Sequence, residues 1–343
     1  MAHEITSEDS LVLTGRPAWH GLGTIVQGAP TMSEALRLAG LEWDVLRRHV
    51  NVGDLHPDDM KSFGDRPLPA VKGSIEHKLA LQRSDTGRVL EVVGDGYEVL
   101  QNRELAELVR ELASEGTIPR AESAGSLKQG RRVFILVRKG AFNVGARDEV
   151  AEYLLFSNTH DGTGALGIIP TTVRVVCANT LRAAESGFRI RHSANMRDRI
   201  EQAKEALRLA ERTGTTMRKT IERLAAVPMD AEDRRVFFLK VYEATHGIIP
   251  ARPSTESEEK AQARALQTVA EWVANLDSAR NSGTGTEGSV WHALNAATEW
   301  SDHKRTVRKA EETERSARAA SNLFGTSAAF KAKALELAVA AAS

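Results

Sequence analysis

The sequence predicts an α+β fold: an antiparallel sheet of hairpins with packed helices and a helical C-terminal extension. Three observations predict it. Turn signals at Ser84–Gly87, Gln129-Gly130 and Asp161-Gly162 each separate a pair of strand-like runs. Helical periodicity dominates from about residue 196 onward. Strand and helix signals do not alternate regularly, which argues against a doubly wound parallel sheet.

Residues 1–70 read as an irregular leader with one helix, PTMSEALRLAGL, capped by Ser33 and ended by Gly40. RPAWHGLG (16–23) is turn-rich and positions Trp19 to cover the domain, and HPDDMKSFGDRPLPAVKG (56–73) reads as an exposed loop.

Residues 71–225 read as a β-rich core with helices. EHKLALQR and RVLEVVG flank SDTG as the first hairpin, and YEVLQ continues as a short strand. Asn102 caps a helix whose one face carries Leu105, Leu108, Val109 and Leu112, with Gly116 at its end. ESAGSL and RRVFILVRKG form the second hairpin. VAEYLLFSN and GALGIIPTTVRVVCAN form the third, around THDGT. A helix is expected from near Asn179 to before Gly187. A long helix, 196–225, then carries Ile200, Ala203, Leu207, Ala210, Gly214, Met217, Ile221 and Leu224 at steps of three and four. That seam is coiled-coil-like and suits packing on the sheet or on a neighbouring subunit.

Residues 226–343 read as helical. Asp230 caps AEDRRVFFLKVYEAT, and a capping box from Thr255 to Glu258 opens a helix over 258–277 expected to bury Leu266, Val269, Val273 and Leu276. SARNSGTGTEGS (278–289) has the composition of a mobile loop. Two further helices follow.

The chain of 343 residues is 41% hydrophobic and 27% charged, so it can fill a core and stay soluble. A single cysteine, Cys177, excludes an internal disulfide and a multi-cysteine zinc site and fits a reducing compartment. MAHEITSEDS lacks a signal-peptide pattern, and no run approaches the ~20 apolar residues of a membrane span, so a bacterial cytoplasm is the expected location, with no membrane partner. The balanced net charge hides an asymmetry: −5 over residues 1–100, +6 over 171–224 and +5 over 304–333. The basic segments are where phosphates would be met, or they are solvated helix faces that balance the acidic half.

Catalytic readings are weak. GTGTEGS lacks the lysine of a phosphate-binding loop and follows no strand. Cys177 has His160, His192 and Asn179 nearby, but strand alternation groups it with Val173 and Val175, facing a core. His160 and Asp161 are neighbours at a turn, and His77 and His192 could join them only through the fold, so no metal site is expected. No catalytic residue, metal or cofactor is assigned.

Arg174 is the most pointed residue. It alternates with apolar neighbours on a strand and needs a partner, either Asp161 or Glu152 or a bound phosphate. Arg131, Arg132, Arg182, Arg189 and Arg191 lie close in sequence or on a neighbouring hairpin. Lys304, Arg305 and Arg308 form a further basic face beside Trp300 and His303. Arginine suits phosphate because its planar fork donates two hydrogen bonds.

RPAWHGLG (16–23), LQRSDTGRVLEVVGDGYEVLQNRE (81–104), TTVRVVCANTL (171–181) and WHALNAATEWSDH (291–303) resemble the phage/plasmid-like (lateral gene transfer) family, a domain of unknown function. The resemblance runs nearly end to end. The order of hairpin, helix, antiparallel strands and long helix is similar at fold level to phage single-strand annealing proteins. That similarity implies an ATP-independent, oligomeric protein, ring or filament, that binds and anneals single-stranded DNA and meets replication or recombination proteins. Zero net charge and 5% aromatic content depart from a simple version of such a protein. The alternative expectation is an interaction module that binds or inhibits a host protein through the acidic first hundred residues, without nucleic acid.

Overall fold

The computed structural model describes residues 11–14, 24–52, 73–113, 120–174, 179–182, 187–212, 217–305, 321–322 and 325–343. The fold is α+β, with two sheets that are antiparallel except for one edge pair. The larger sheet contains β1 (Leu11–Thr14), β2 (Thr24–Val26), β6 (Ala121–Leu127), β7 (Arg132–Val144), β8 (Asp148–Thr159), β9 (Leu166–Arg174), β10 (Asn179–Arg182) and β11 (Phe188–Ile190). Its order is β10-β9-β8-β7-β6-β1-β2, with β11 also paired to β9, and β1–β2 is the parallel pair. The smaller sheet is β3 (Val45–Val52), β4 (Gly73–Arg83) and β5 (Val89–Gly94) in the order β3-β4-β5.

Eight α-helices are described: α1 (Met32–Leu38), α2 (Asn102–Ala113), α3 (Met196–Arg212), α4 (Met217–Ala226), α5 (Ala231–His246), α6 (Glu256–Leu276), α7 (Val290–Glu299) and α8 (Thr326–Ala341). A π-helical turn, Trp300–Lys304, extends α7.

Two hydrophobic cores form. The first joins one face of the larger sheet (Val133, Ile135, Val137, Leu154, Phe156, Ile168) to α1, α2, α3 and the small sheet. The second holds α4 to α8 around Trp272, Trp291 and Phe238. The β7–β8 hairpin enters both. After an irregularity between Arg138 and Gly140, Phe142, Val144 and Val150 pass into the helical core. The irregularity re-phases β7, so that odd-numbered residues before it and even-numbered residues after it face the cores. The other face of the sheet is also apolar, with Leu127, Phe134, Leu136, Leu155 and Ile169 buried.

The three hairpins form where the turn chemistry places them. Other elements differ from expectation. The cap of α1 is Thr31, not Ser33, in a reciprocal capping box with Glu34, while Gly40, at φ 58° just past the C-cap Ala39, terminates the helix as expected. Tyr97–Leu100 is not a strand. The expected helix after Asn179 is instead strand β10, because Asn179–Arg182 finds a partner in Thr171–Arg174. The helix expected over 196–225 is two helices serving different cores: Ile200, Ala203 and Leu207 of α3 enter the first, and Ile221 and Leu224 of α4 the second. Gly214, Gly116, Trp19, Cys177 and the 56–72 stretch lie outside the described residues. On α6 the buried residues are Ala265, Val269, Trp272 and Asn275, while Leu266 and Val273 are exposed.

The Gly/Ser/Thr stretch 278–289 is a packed plug rather than a loose loop. Asn281, Thr284, Thr286 and Ser289 are buried, and the Thr284 carbonyl accepts from the Ala146 and Arg147 amides at the β7–β8 turn, both at 3.2 Å. A Cβ on Gly145 would stand 2.9 Å from the Gly285 carbonyl oxygen, so two glycines let the backbones meet. Among the described residues, no helix is long and apolar enough to cross a membrane.

Candidate nucleic-acid interface

The small sheet sits across the end of the larger one, against the β6–β7 and β8–β9 turns. Lys128, Gln129 and Gly130 all adopt positive φ, of 56°, 62° and 92°. A Cβ on Gly130 would meet Trp43 and Arg83 at 3.0 Å, so the glycine permits the close approach. Arg83 lies 4.4 Å from the Trp43 ring centroid, holds Asp85 through two hydrogen bonds of 3.0 and 2.8 Å, and donates to the Gln129 carbonyl at 3.3 Å. Arg88 donates to Gln129 Oε1 at 2.7 Å. The turn is thereby clamped, and Arg131 emerges from it into solvent.

Beneath this joint is a buried polar network. Asn102 commits its amide to the Leu41 and Trp43 carbonyls, which leaves Oδ1 to accept from His160 Nε2 at 3.1 Å. Asn158 donates to the Leu100 carbonyl, Tyr97 to the Thr159 carbonyl at 2.6 Å, and His192 Nδ1 to the Glu98 carbonyl at 2.8 Å. Tyr97 stacks on His192 with centroids 4.6 Å apart. These bonds set the tautomers, with the proton on Nε2 of His160 and Nδ1 of His192, and burial lowers the pKa of both rings. Burial, and secondarily the neighbouring His192, push the His160 pKa down to about 3. Asp161 is occupied in its own turn by Thr163, whose amide and hydroxyl donate at 3.0 and 2.7 Å. His160 thus ties the sheet end to α2, while Asp161 holds its own turn. Among the described residues there is no cluster of three or more metal-ligating side chains.

Four of the expected phosphate-binding residues, Arg131, Arg132, Arg189 and Arg191, lie at one end of the larger sheet. Arg131 precedes β7 and Arg132 opens it, and Arg189 on β11 pairs with Gly167 of β9. Strand register puts Arg132 and Arg189 on the same face of the sheet, three strand spacings or ~15 Å apart laterally. Arg191 follows β11 directly. Arg131, Arg189 and Arg191 are exposed and form no ion pair with the described residues; Arg132 is half-buried.

Arg174 is not with them. It lies opposite Val150 and Asn179, seven residues or ~23 Å along β9 from Gly167, at the end where the sheet enters the helical core. Asp161 is at the far end of the hairpin and is no neighbour for it. Arg182 lies opposite Thr171, between the two ends. The side chains of Arg174 and Arg182, and all of Arg308, are outside the described residues.

Lys304 and Arg305 close the π-helical turn in the helical core. Lys304 Nζ donates to Asn275 Oδ1, and the Arg305 amide donates to the Trp300 carbonyl at 2.7 Å. π-helical turns recur where side chains are held for function. Behind this one, Asp302 and Lys331 form a fully buried ion pair at 2.6 Å. Glu299, also buried, accepts from Ser278 Oγ and Asn281 Nδ2, each at 2.8 Å. Sequence reasoning missed the aromatic group here: Tyr242, His246, Trp272, Trp300 and Phe330 pack ring against ring with centroids 4.6 to 6.4 Å apart. Only the i, i+4 spacing of Tyr242 and His246 hinted at it.

A family model described as a domain of unknown function, DUF932, matches residues 89–323, a span that takes in both groups of basic residues. No curated protein and no solved structure matches the chain.

Proposed function

The chain belongs to the DUF932 family, a domain of unknown function, and we propose that it is a phage-type single-stranded DNA binding and strand-annealing protein of the bacterial cytoplasm, oligomeric and independent of ATP. The observation that carries this reading is the set of exposed arginines at one end of the larger sheet. Arg131, Arg189 and Arg191 have no carboxylate partner among the described residues, with Arg132 beside them. Guanidinium groups held on a rigid sheet, in two sets three strand spacings apart, suit contact with a phosphate backbone without reading sequence. The basic group in the helical core, Lys304 and Arg305, lies at the other end of the β7–β8 hairpin. One strand touching both groups would run the length of the sheet, and subunits placed side by side would offer successive sheet ends to a longer strand.

The test is anisotropy of a labelled oligo-dT across a salt titration, with sedimentation of the protein alone and with DNA. Binding that weakens steeply with salt, by an assembly larger than a monomer, is expected. A monomer indifferent to the oligonucleotide at low salt removes the reading.

One observation favours the second reading, an interaction module for a host protein. Ile75, Val89 and Val92 of the small sheet are 46%, 50% and 43% exposed. Loss of function on Val89→Lys/Val92→Lys, with DNA affinity unchanged, would favour it.

A further inference from the structure

The helical core holds an arginine that no carboxylate among the described residues neutralises. Arg305 is half-buried, its Nη1 is shut off from solvent, and that atom makes no hydrogen bond. No carboxylate among the described residues forms an ion pair with it. Glu271 accepts from Trp300 Nε1 at 2.6 Å, and the adjacent Lys304 is taken up by Asn275. A desolvated guanidinium without an anion is costly to keep. Desolvation lowers the Arg305 pKa, and His246 is lowered by its own burial and then by the nearby Arg305 charge.

Flat rings stand beside this cation. The guanidinium carbon lies 5.9 Å from the Trp300 ring centroid. His246 meets Trp300 edge-on at 6.0 Å, and Tyr242 stacks on His246 at 4.6 Å and 16°. Trp272 and Phe330 wall the cluster from inside, where both are buried. His246 is exposed on its outer side, and Ile248, two residues on, is 88% exposed. An unpaired arginine donor next to an accessible stacked ring matches the two parts of a nucleotide: a phosphoryl oxygen for the donor, a planar base for the ring.

We propose that Arg305, His246 and Tyr242 form a site for one nucleotide unit, in which the solvent-facing part of the half-buried Arg305 guanidinium donates to a phosphoryl oxygen and the base extends the Tyr242–His246 stack. The occupant is a nucleotide of a bound strand or a free mononucleotide. Only the first source rests on the strand-binding reading.

The experiment compares the wild-type chain with Arg305→Gln, His246→Ala and, as a reference at the sheet end, Arg189→Gln. The probes are thymidine 5′-monophosphate, inorganic phosphate and labelled oligo-dT. Thymidine monophosphate should change tryptophan fluorescence saturably, with phosphate competing without the same change. Arg305→Gln should weaken this about tenfold, consistent with the loss of one charge-assisted contact, and Arg189→Gln should leave it unchanged. If the strand is the occupant, Arg305→Gln also weakens oligo-dT binding. If only mononucleotide binding responds to Arg305→Gln, the free nucleotide is the occupant, and whether the wild-type chain binds oligo-dT at all decides the strand-binding reading separately. His246→Ala, at an exposed ring, keeps the test open should circular dichroism show Arg305→Gln to be misfolded. No saturable response to the mononucleotide, together with oligo-dT affinity unaltered by Arg305→Gln and His246→Ala, overturns the proposal.

Discussion

Trp291 Nε1 donates to Asp148 Oδ2 at 2.8 Å across 143 residues of chain, and both side chains are fully buried. Asp148 begins β8 beside the β7–β8 turn, and Trp291 lies in the first turn of α7. The bond pins the tip of the longest hairpin to the most buried helix of the second core.

Trp291→Phe keeps most of the apolar volume and removes that donor. A buried carboxylate that loses a donor costs about 1–3 kcal/mol. Urea unfolding monitored by far-ultraviolet circular dichroism should show a lower midpoint by that amount. An unchanged midpoint would mean that the bond carries no net stability.

Lys331 and Asp302 form an ion pair with side chains 0% and 1% exposed. Lys331→Met alone should cost about 3–5 kcal/mol, because it leaves a buried carboxylate without its cation. Asp302→Leu/Lys331→Met should lose less than the sum of the single variants. The comparison is a double-mutant cycle on denaturation free energies, and additivity would contradict it.

Stability should fall on mild acidification. The His160 pKa is about 3 in the folded chain against an ordinary 6.5. Between those values the unfolded chain binds a proton that the folded chain refuses, so this contribution is complete above about pH 6.5 and is lost toward pH 3, by up to ~1.4 kcal/mol per pH unit. His192, lowered mainly by burial, acts in the same direction. Urea midpoints from pH 7 to 4 should decline, and His160→Gln should flatten the decline. Equal slopes in the two proteins would exclude His160 as its source.

DNA affinity should report each sheet-end arginine separately. For single strands, each phosphate contact contributes about 0.7 to the slope of log affinity against log salt. Arg131→Ala and Arg189→Ala should each reduce the slope by roughly that amount, whatever the oligonucleotide sequence. A slope untouched by both substitutions would move the phosphate path elsewhere.

Much of the fold was legible because it is local. Turn residues at Asp161-Gly162 and Gln129-Gly130 with alternating flanks specify hairpins without outside help, and Asp230 and Thr255 cap their helices by contacts three residues away. The misread elements depend on distant partners. Asn179–Arg182 has modest helical character until β9 offers it a free edge. The 278–289 stretch reads as loose by composition, yet it is ordered by amides at positions 146 and 147. The candidate site shows the same division. Alternation identified Arg174 as a strand residue, but which arginines share a sheet end depends on pairing across β7, β8, β9 and β11. The pairing of Arg305 with His246 and Tyr242 depends on two helices meeting that are far apart in sequence.

The β7–β8 hairpin belongs to both cores, and this limits how the chain can be divided. A fragment ending before α4 would carry Phe142, Val144 and Val150 with their apolar side chains uncovered, and a fragment starting at α4 would lack the strands on which its helices close. Neither half is a transplantable unit. Shuffling, truncation or fusion within 120–305 should yield aggregation-prone products, whereas an exchange that keeps the hairpin together with both of its coverings keeps the protein.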